Sequence, residues 1–440
     1  MSEDSILFTD HAFIDSTPDR TWAENFLVNA VCNANVMSTD APADGGAGGF
    51  ASAATAWTQD ACPSAEGPDH PSLGAGQYHS PPPAVCSVSC YKHIAYYCSQ
   101  NILQGGIPGA ECTHSENGGQ TWDAPTEVFG GGSPCGAIHG HIRLAADGTT
   151  YISSYTYAVV PDATPPAANS GTDPSVDTGS DGTVYFGYED GTSHHPKIAV
   201  SQDRGAHWST SGDVGTPFNI TNTKFPEVIA GDGGRAAFAF LGTSCPSTQA
   251  GCSAGDQAAT FPGVWYLYVA YTYDRGASWQ VVNATPNNPV QRGCIWNGGG
   301  GNACRNTLDF NDITVDKTGH VYVAYTDGCT VDPTNTYNCN TNPAIVATGC
   351  DTTGGGTFSE NASEYSTATC TYGRQSALVR QVCGQGLFAA GDPGFTEGPS
   401  CASVVTPESP ATILLLAGGT LVTGAVAMIA RRRRRSTNIA

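Results

Sequence analysis

Short runs in which apolar and polar residues alternate recur along the chain, each preceded by a glycine-containing turn. "LAADGTTYISSYTY" runs from Leu144 to Tyr157, "TGSDGTVYFGYED" from Thr178 to Asp190 and "VDKTGHVYVAYTD" from Val315 to Asp327. "AGDGGRAAFAFLG", from Ala230 to Gly242, is a looser copy, and "YKHIAYYCSQ" at 91–100 reads as the second strand of one more. A period of two on either side of a tight turn is the mark of a β-hairpin. No stretch of the main body carries a long apolar period of 3.6 residues, so the body is expected to be all-β.

A second pattern follows the hairpins. "SENGGQTW" (115–122), "SQDRGAHW" (201–208) and "TYDRGASW" (272–279) share one template: a hydroxyl residue, Asp or Asn two later, Gly two after that, and Trp three further on. The template residues are Ser115, Asn117, Gly119 and Trp122; Ser201, Asp203, Gly205 and Trp208; and Thr272, Asp274, Gly276 and Trp279. The Asp or Asn side chain accepts hydrogen bonds from its own loop. The Gly takes a backbone shape that a Cβ opposes, and the Trp packs under the turn. Such a motif is expected to shape the fold, as the turn between the two outer strands of a four-stranded unit, and not to react. Units fall at about 70–130, 139–170, 173–222, 225–290 and 309–390. The second lacks the Trp motif and is expected to have lost its outer strands. "DRTW" near Arg20 points to a further, truncated unit. Repeated four-stranded units indicate a β-propeller of about six blades.

Composition agrees with many short strands and turns: among 440 residues there are 54 Gly and 28 Pro, and only 13% are charged. The net charge is −21, and five of the 18 basic residues form the run Arg431 to Arg435. The acidic body should repel nucleic acid and anionic lipid, and equally an anionic sugar unless local arginines override its field. Seventeen Cys without paired CxxC motifs argue against structural zinc and for disulfides of an exported protein. Expected local pairs are Cys245 with Cys252, Cys294 with Cys304, and Cys329 with Cys339.

The C-terminus reads "TPESPATILLLAGGTLVTGAVAMIARRRRRSTNIA". Residues 411–430 carry no charge, and roughly 20 apolar residues suffice for a transmembrane helix. The arginines after it should stay in the cytoplasm, placing the body outside the membrane. The expected layout is a propeller over 1–400, a linker over 401–410, a transmembrane helix over 411–430 and a basic tail over 431–440. Pro407-Glu408-Ser409-Pro410, the apolar span and the basic end resemble the PEP-CTERM type of bacterial sorting tail. That resemblance implies an exosortase-type processing enzyme as a partner, although Ser409 interrupts the Pro-Glu-Pro motif. The N-terminus has no basic n-region and no long apolar core, so the export signal is expected upstream of Met1.

The template S-x-D-x-G-x-x-W is similar to the Asp-box, or BNR repeat, of sialidases and related propellers. "FPEVIAGDGGRAAFAFLGT", "PGVWYLYVAYTYDRGASW" and "PVQRGCIWNGGGGNACRNTLDFNDITVDKTGHVYVAYTDGC" carry a wider resemblance to bacterial sialidase-like proteins across most of 70–390. The resemblance implies a sialidase-like propeller and an exo-acting glycosidase as the activity. The family's Arg-Ile-Pro motif does not occur here, and Arg20 in "PDRTW" does not match it.

The densest polar stretch is 291–312, "QRGCIWNGGGGNACRNTLDFND". Arg292 and Arg305 suit a carboxylate ligand, Trp296 suits a sugar face, and Asp309 or Asp312 could serve as acid/base. The plainer alternative is a loop ordered by Arg305 paired with Asp309, with Asp312 bonding backbone. Tyr188 and Glu189 are neighbours on a strand and should point to opposite faces. His139 and His141 would share a face, but no third metal ligand is evident. No cofactor is expected; turns such as "DTGSDG" leave only a weak case for Ca²⁺, since no complete EF-hand loop is present. Two functions remain open: an exo-glycosidase on sialic-acid-like or other surface glycans, and a non-catalytic propeller binding a glycan or glycoprotein at the cell surface.

Overall fold

The computed structural model describes residues 68–79, 93–101, 109–116, 121–130, 141–154, 173–296 (except 259), 311–330 and 373–389, with the short strands 7–8, 24–27, 35–39 and 57–59 and residues 160, 162, 163, 304 and 307. The chain divides into two compact units, Met1–Gln381 with Gln385–Pro393, and Val382–Gly384 with Gly394–Ala440. All the strands lie in the first unit.

The strands form successive antiparallel meanders in chain order. Sheet 1 holds β1 (Leu7–Phe8), β2 (Glu24–Leu27), β3 (Asn35–Thr39) and β4 (Trp57–Gln59). It has four strands, not the shortened unit expected around Arg20. Sheet 2 holds β5 (Pro68–Gln77), β6 (His93–Asn101), β7 (Gly109–Ser115) and β8 (Thr126–Phe129). Sheet 3 has two described strands, β9 (Arg143–Leu144) and β10 (Thr150–Tyr151). Sheet 4 holds β11 (Ser175–Thr178), β12 (Val184–Glu189), β13 (Pro196–Ser201) and β14 (Gly212–Asp213). Sheet 5 holds β15 (Asn222–Ala230), β16 (Ala236–Thr243), β17 (Val264–Thr272) and β18 (Gln280–Asn283), with β19 (Gln291–Arg292) also pairing β17. Sheet 6 holds β20 (Asp312–Val315), β21 (Val321–Thr330) and β22 (Gly373–Arg380). Every hairpin expected from the alternating runs forms at its place.

The first strands of sheets 2 to 6, namely β5, β9, β11, β15 and β20, touch one another in succession. Burial falls at the fourth, outermost strands. β12, β15 and β16 are buried at every position, whereas β8 and β18 are largely exposed. Sheets packed on both faces around touching first strands are the blades of a β-propeller. The core accordingly consists of slabs between sheets. Ile198 and Val200 of sheet 4 meet Val228, Phe238 and Phe240 of sheet 5, while Ala239, Leu241 and Leu267 on the other face of sheet 5 meet Ile313, Val321 and Val323 of sheet 6. Each such large side chain contributes about 1.5–3 kcal/mol on burial. The sheets approach so closely at Gly187 that a Cβ there would sit 2.6 Å from both Phe238 and Val228.

The three Trp motifs occupy equivalent places, each directly after the third strand of a different sheet: β7, β13 and β17. In sheet 4 the Ser201 Oγ accepts from the Gly205 N–H (2.7 Å) and donates to Asp203 Oδ1 (2.9 Å), which in turn accepts from the His207 N–H (2.8 Å). Thr272, Asp274, Gly276 and Ser278 repeat the same bonds in sheet 5. The hydroxyl is therefore a working part of the turn, and Thr serves as well as Ser. Gly205 and Gly276 have φ of 89° and 80°, a region open to glycine. The rings pack edge-on against aromatics: Trp122 against Tyr97, Trp208 against Phe186, and Trp279 against Tyr185 of the preceding sheet. Asn117 and Gly119 lie outside the described residues.

Three disulfides are described. Cys245–Cys252 and Cys294–Cys304 are the local staples expected from spacing. Cys98–Cys112 joins directly paired positions of β6 and β7, a link that spacing did not suggest. Cys339, the expected partner of Cys329, lies outside the described residues. The expected transmembrane segment 411–430 lies there too. Among the described residues no helix is long and apolar enough to cross a membrane.

Candidate functional site

In a meander the 1–2 and 3–4 turns lie at one end of the sheet, and the 2–3 loop and the entry to the first strand lie at the other. The Trp motifs are 3–4 turns. Away from the Trp motifs, the first strands bring together polar residues from four sheets: His141 and Arg143 by β9, Asp173 and Ser175 at the start of β11, Glu227 just past the bulge of β15, and Asn311 and Asp312 at the start of β20.

Glu227 is the centre of this group. Its Oε2 accepts from Ser175 Oγ (2.9 Å), and its Oε1 lies 3.6 Å from His141 Nε2. Ser175 Oγ also accepts from the Val228 N–H at 3.0 Å, so one hydroxyl fixes both the carboxyl and its backbone. The Glu227 side chain is only 3% exposed. Burial, then the neighbouring Asp312, pushes its carboxyl well above the ordinary range; Arg143 and the Ser175 bond oppose this, and Asp173 adds to it. Asp312 is partly buried, and burial raises its carboxyl as well, against Arg143 and its own bond from the Ile313 N–H (2.8 Å). Burial, aided by Arg143, drives His141 down to about 3, so its imidazole is neutral. Arg143 Nε lies 3.8 Å from Asp177 Oδ1, and Asp177 Oδ2 accepts from the Ala230 N–H at 2.7 Å, tying three sheets together. The group thus offers two neighbouring carboxyls whose proton affinity burial raises, Glu227 the more deeply buried, beside one guanidinium and a neutral imidazole. A carboxyl that holds its proton more tightly than usual is suited to general-acid chemistry.

A β-bulge sets Glu227 at this spot. The β15–β16 register shifts between Lys224 and Glu227, and Phe225 takes φ 51°, a conformation that costs a bulky residue energy. Pro226 cannot donate to the ladder, and a Pro inside a strand confines it to an edge or a bulge.

A second buried group lies between sheets 4 and 5. Lys224 Nζ is 3.1 Å from both Glu189 Oε2 and Asp256 Oδ2, with all three side chains nearly sealed from solvent. Burial pulls the Lys224 ammonium down, but Asp256 and Glu189 outweigh it and leave the group above its ordinary range. His194 Nδ1 meets Glu189 Oε1 at 2.7 Å, and that hydrogen bond raises the imidazole. Tyr188 lies on the other face, where its hydroxyl donates to Ser211 Oγ (2.7 Å), so Tyr188 and Glu189 do not meet.

Of the residues singled out in 291–312, Asp312 joins Glu227 and Arg143. Arg292 is on β19 beside the N-terminal part of β17, whose residues Val264 and Trp265 pair with Arg292 and Gln291. That is the outer side of sheet 5, away from β15. Trp296 packs against the slab between sheets 5 and 6, and its backbone N–H donates to Cys304 O (2.9 Å). Arg305, Asp309 and His139 lie outside the described residues. Among the described residues no group of three or more His, Cys, Asp or Glu is placed to hold a metal ion. Sequence reasoning missed Glu227, Arg143 and Lys224, and weighed His141 only as a metal pair with His139; the one local signal was Pro226 inside a strand.

No family model matches the chain, and no curated protein matches it. Solved structures similar to it include a protein of unknown function from Dyadobacter fermentans (12% identity, 68% of this chain and 81% of that one, TM-score 0.34). A xylan β-1,4-xylosidase from Bacillus halodurans is similar at 11% identity over 86% of this chain and 52% of that one, with a TM-score of 0.33. A six-bladed β-propeller lectin from Aleuria aurantia is similar at 10% identity over 63% and 76%, also at TM-score 0.33. At identities this low, the assignment of the fold rests on the sheets themselves.

Proposed function

We propose that this chain is an exported propeller that hydrolyses glycosidic bonds in glycans or glycoproteins at the cell surface. The observation that carries the reading is Glu227, a carboxyl buried among the first strands of the sheets against Ser175 and His141, whose proton affinity burial and Asp312 raise. In this role Glu227 donates its proton to the leaving glycosidic oxygen while Asp312, partly open to solvent, supports positive charge on the sugar or activates water. Arg143 and Asp177 then offer donors and acceptors to sugar hydroxyls. Among the described residues Arg143 is the one arginine beside these carboxyls; two further acids, Asp173 and Asp312, act on Glu227, and a third, Asp177, already faces Arg143. That balance favours a neutral sugar over a sialic acid. The Asp-box resemblance supports a carbohydrate-active propeller but not the sialidase's arginine set. Anchoring through 411–430 and exosortase-type processing remain part of this proposal, on the strength of the tail's sequence.

The test is turnover of a panel of neutral aryl glycosides and one aryl sialoside by the soluble body. Turnover of a neutral glycoside is expected, falling by about 10²–10⁴ in Glu227→Gln and in Asp312→Asn. Turnover of the sialoside alone, or full activity in both variants, would overturn the reading. A binding propeller is the second reading, favoured by how little of Glu227 reaches solvent. It requires glycan binding without turnover, unchanged in Glu227→Gln.

A further inference from the structure

The two buried groups are joined by the bulge. Lys224 lies on one side of Phe225-Pro226 and Glu227 on the other. The strained Phe225 is held at three points. Upstream, the ammonium of Lys224 is clamped between Glu189 of β12 and Asp256 of the loop between β16 and β17. At the bulge, the Phe225 carbonyl accepts from Asn311 Nδ2 (3.3 Å), the residue directly before Asp312. Downstream, Ser175 binds the Val228 N–H and the Glu227 carboxyl together. A non-glycine residue persists at positive φ only where its surroundings over-determine it. The side chain of Phe225 is itself buried in the slab toward sheet 6 and cannot shift freely.

We propose that Lys224 is a positioning residue: its clamp to Glu189 and Asp256 holds the Phe225 bulge, and the bulge aims Glu227 into the group formed with His141, Arg143, Ser175 and Asp312. The inference deepens the proposed role of Glu227 as acid and rests on that reading for its functional meaning, but its structural content can be tested without turnover. A salt-bridged lysine beside a bulge is otherwise a plain structural staple; the two ideas differ in what they expect at Glu227. If Lys224 acts only by charge, removing it takes away a cation and raises the affinity of Glu227 for its proton. If it acts by position, releasing the bulge admits water to Glu227 and lowers that affinity.

The experiment is a ¹³C NMR titration of the Glu227 carboxyl, assigned by its loss in Glu227→Gln. It is run on the wild type and on the double variant Lys224→Met, Asp256→Asn, which removes one cation with one anion and leaves Glu189 its hydrogen bond to His194, so that charge alone predicts no change. Lys224→Met, Glu189→Gln, the other charge-balanced pair, is the second variant should the first not fold. The expected result is a fall in the Glu227 proton affinity of at least tenfold in the first variant, and a fall in the same direction in the second. An unchanged or raised affinity in the folded variants would overturn the proposal. A fall in affinity in a protein whose wild type turns over no glycoside would sustain the positioning role and sink the hydrolase reading instead.

Discussion

The two ends of the sheets solve the problem of carrying charge in different ways. At the Trp-motif end the solution repeats. Arg204, in the turn after β13, reaches back to Asp147 in the 1–2 turn of sheet 3 (2.6 Å), and Arg275, in the turn after β17, reaches back to Asp181 in the 1–2 turn of sheet 4 (2.9 Å). Both arginines have positive φ, at 62° and 61°, and both ion pairs face solvent. After the last strand of sheet 6 the partners are backbone groups of residues 386–389 instead of an acid: Asp232 N–H donates to Leu387 O, the Ala389 N–H donates to Asp232 Oδ2, and the Arg235 guanidinium donates to Gly386 O. At the opposite end the described residues form no such repeated pair. His141, Ser175, Glu227 and Asp312 lie on or just before the first strands of four sheets, and they supply an imidazole, a hydroxyl and two carboxyls. A repeated feature reports what every blade needs in order to pack. A feature present once, buried and held by strain, reports what the whole molecule uses.

That contrast can be broken most sharply by turnover. Glu227→Gln is expected to lower it by about 10²–10⁴, while Asp203→Asn, at the motif end, leaves it unchanged. Equal losses would remove the distinction between the ends. Next in size is stability. Lys224→Ala leaves Glu189 and Asp256 buried without their cation and should cost about 3–5 kcal/mol in urea unfolding. Arg275→Ala breaks an exposed pair at the other end and should cost about 0.2–1 kcal/mol. Between these lies the response to pH, which should differ in sign between the ends. The Glu227 carboxyl is raised on folding, so its contribution is full below the ordinary carboxyl range and is lost as pH climbs through its folded value. Wild-type stability should therefore fall on the alkaline side by up to about 1.4 kcal/mol per pH unit, a slope absent in Glu227→Gln. Hydrogen bonds from His207 and Ser201 hold Asp203 down at about 2, so its contribution is instead lost as pH falls. Removing it in Asp203→Asn should flatten only the acid limb.

The same contrast explains what could be read from the sequence. The hairpins, the motif turns and two of the three described disulfides follow from local rules, because a turn and its Trp, or two cysteines 7 or 10 residues apart, declare themselves within one window. Cys98 and Cys112 were missed because they lie on neighbouring strands and pair only through register. The acid group was largely illegible. Its members come from positions 141, 143, 175, 227 and 312, and no local rule links residues that meet only when four sheets gather their first strands. Asp312 was singled out for its neighbours in 291–312, yet the residues it meets are Glu227 and Arg143. Pro226 was the one local trace, since a Pro within a strand marks a break in the ladder. The arginine clasps between sheets escaped notice because the motif's template leaves their position unspecified.

The most direct test of the account is the protonation state of a single side chain. An isotope-edited infrared difference spectrum between wild type and Glu227→Gln at pH 6 reads it without any substrate. The account expects a carboxylic-acid carbonyl band that vanishes in the variant, marking Glu227 as a stored acid. A carboxylate band vanishing in its place would show Glu227 ionised, and the division between a scaffold end and a chemical end would not stand.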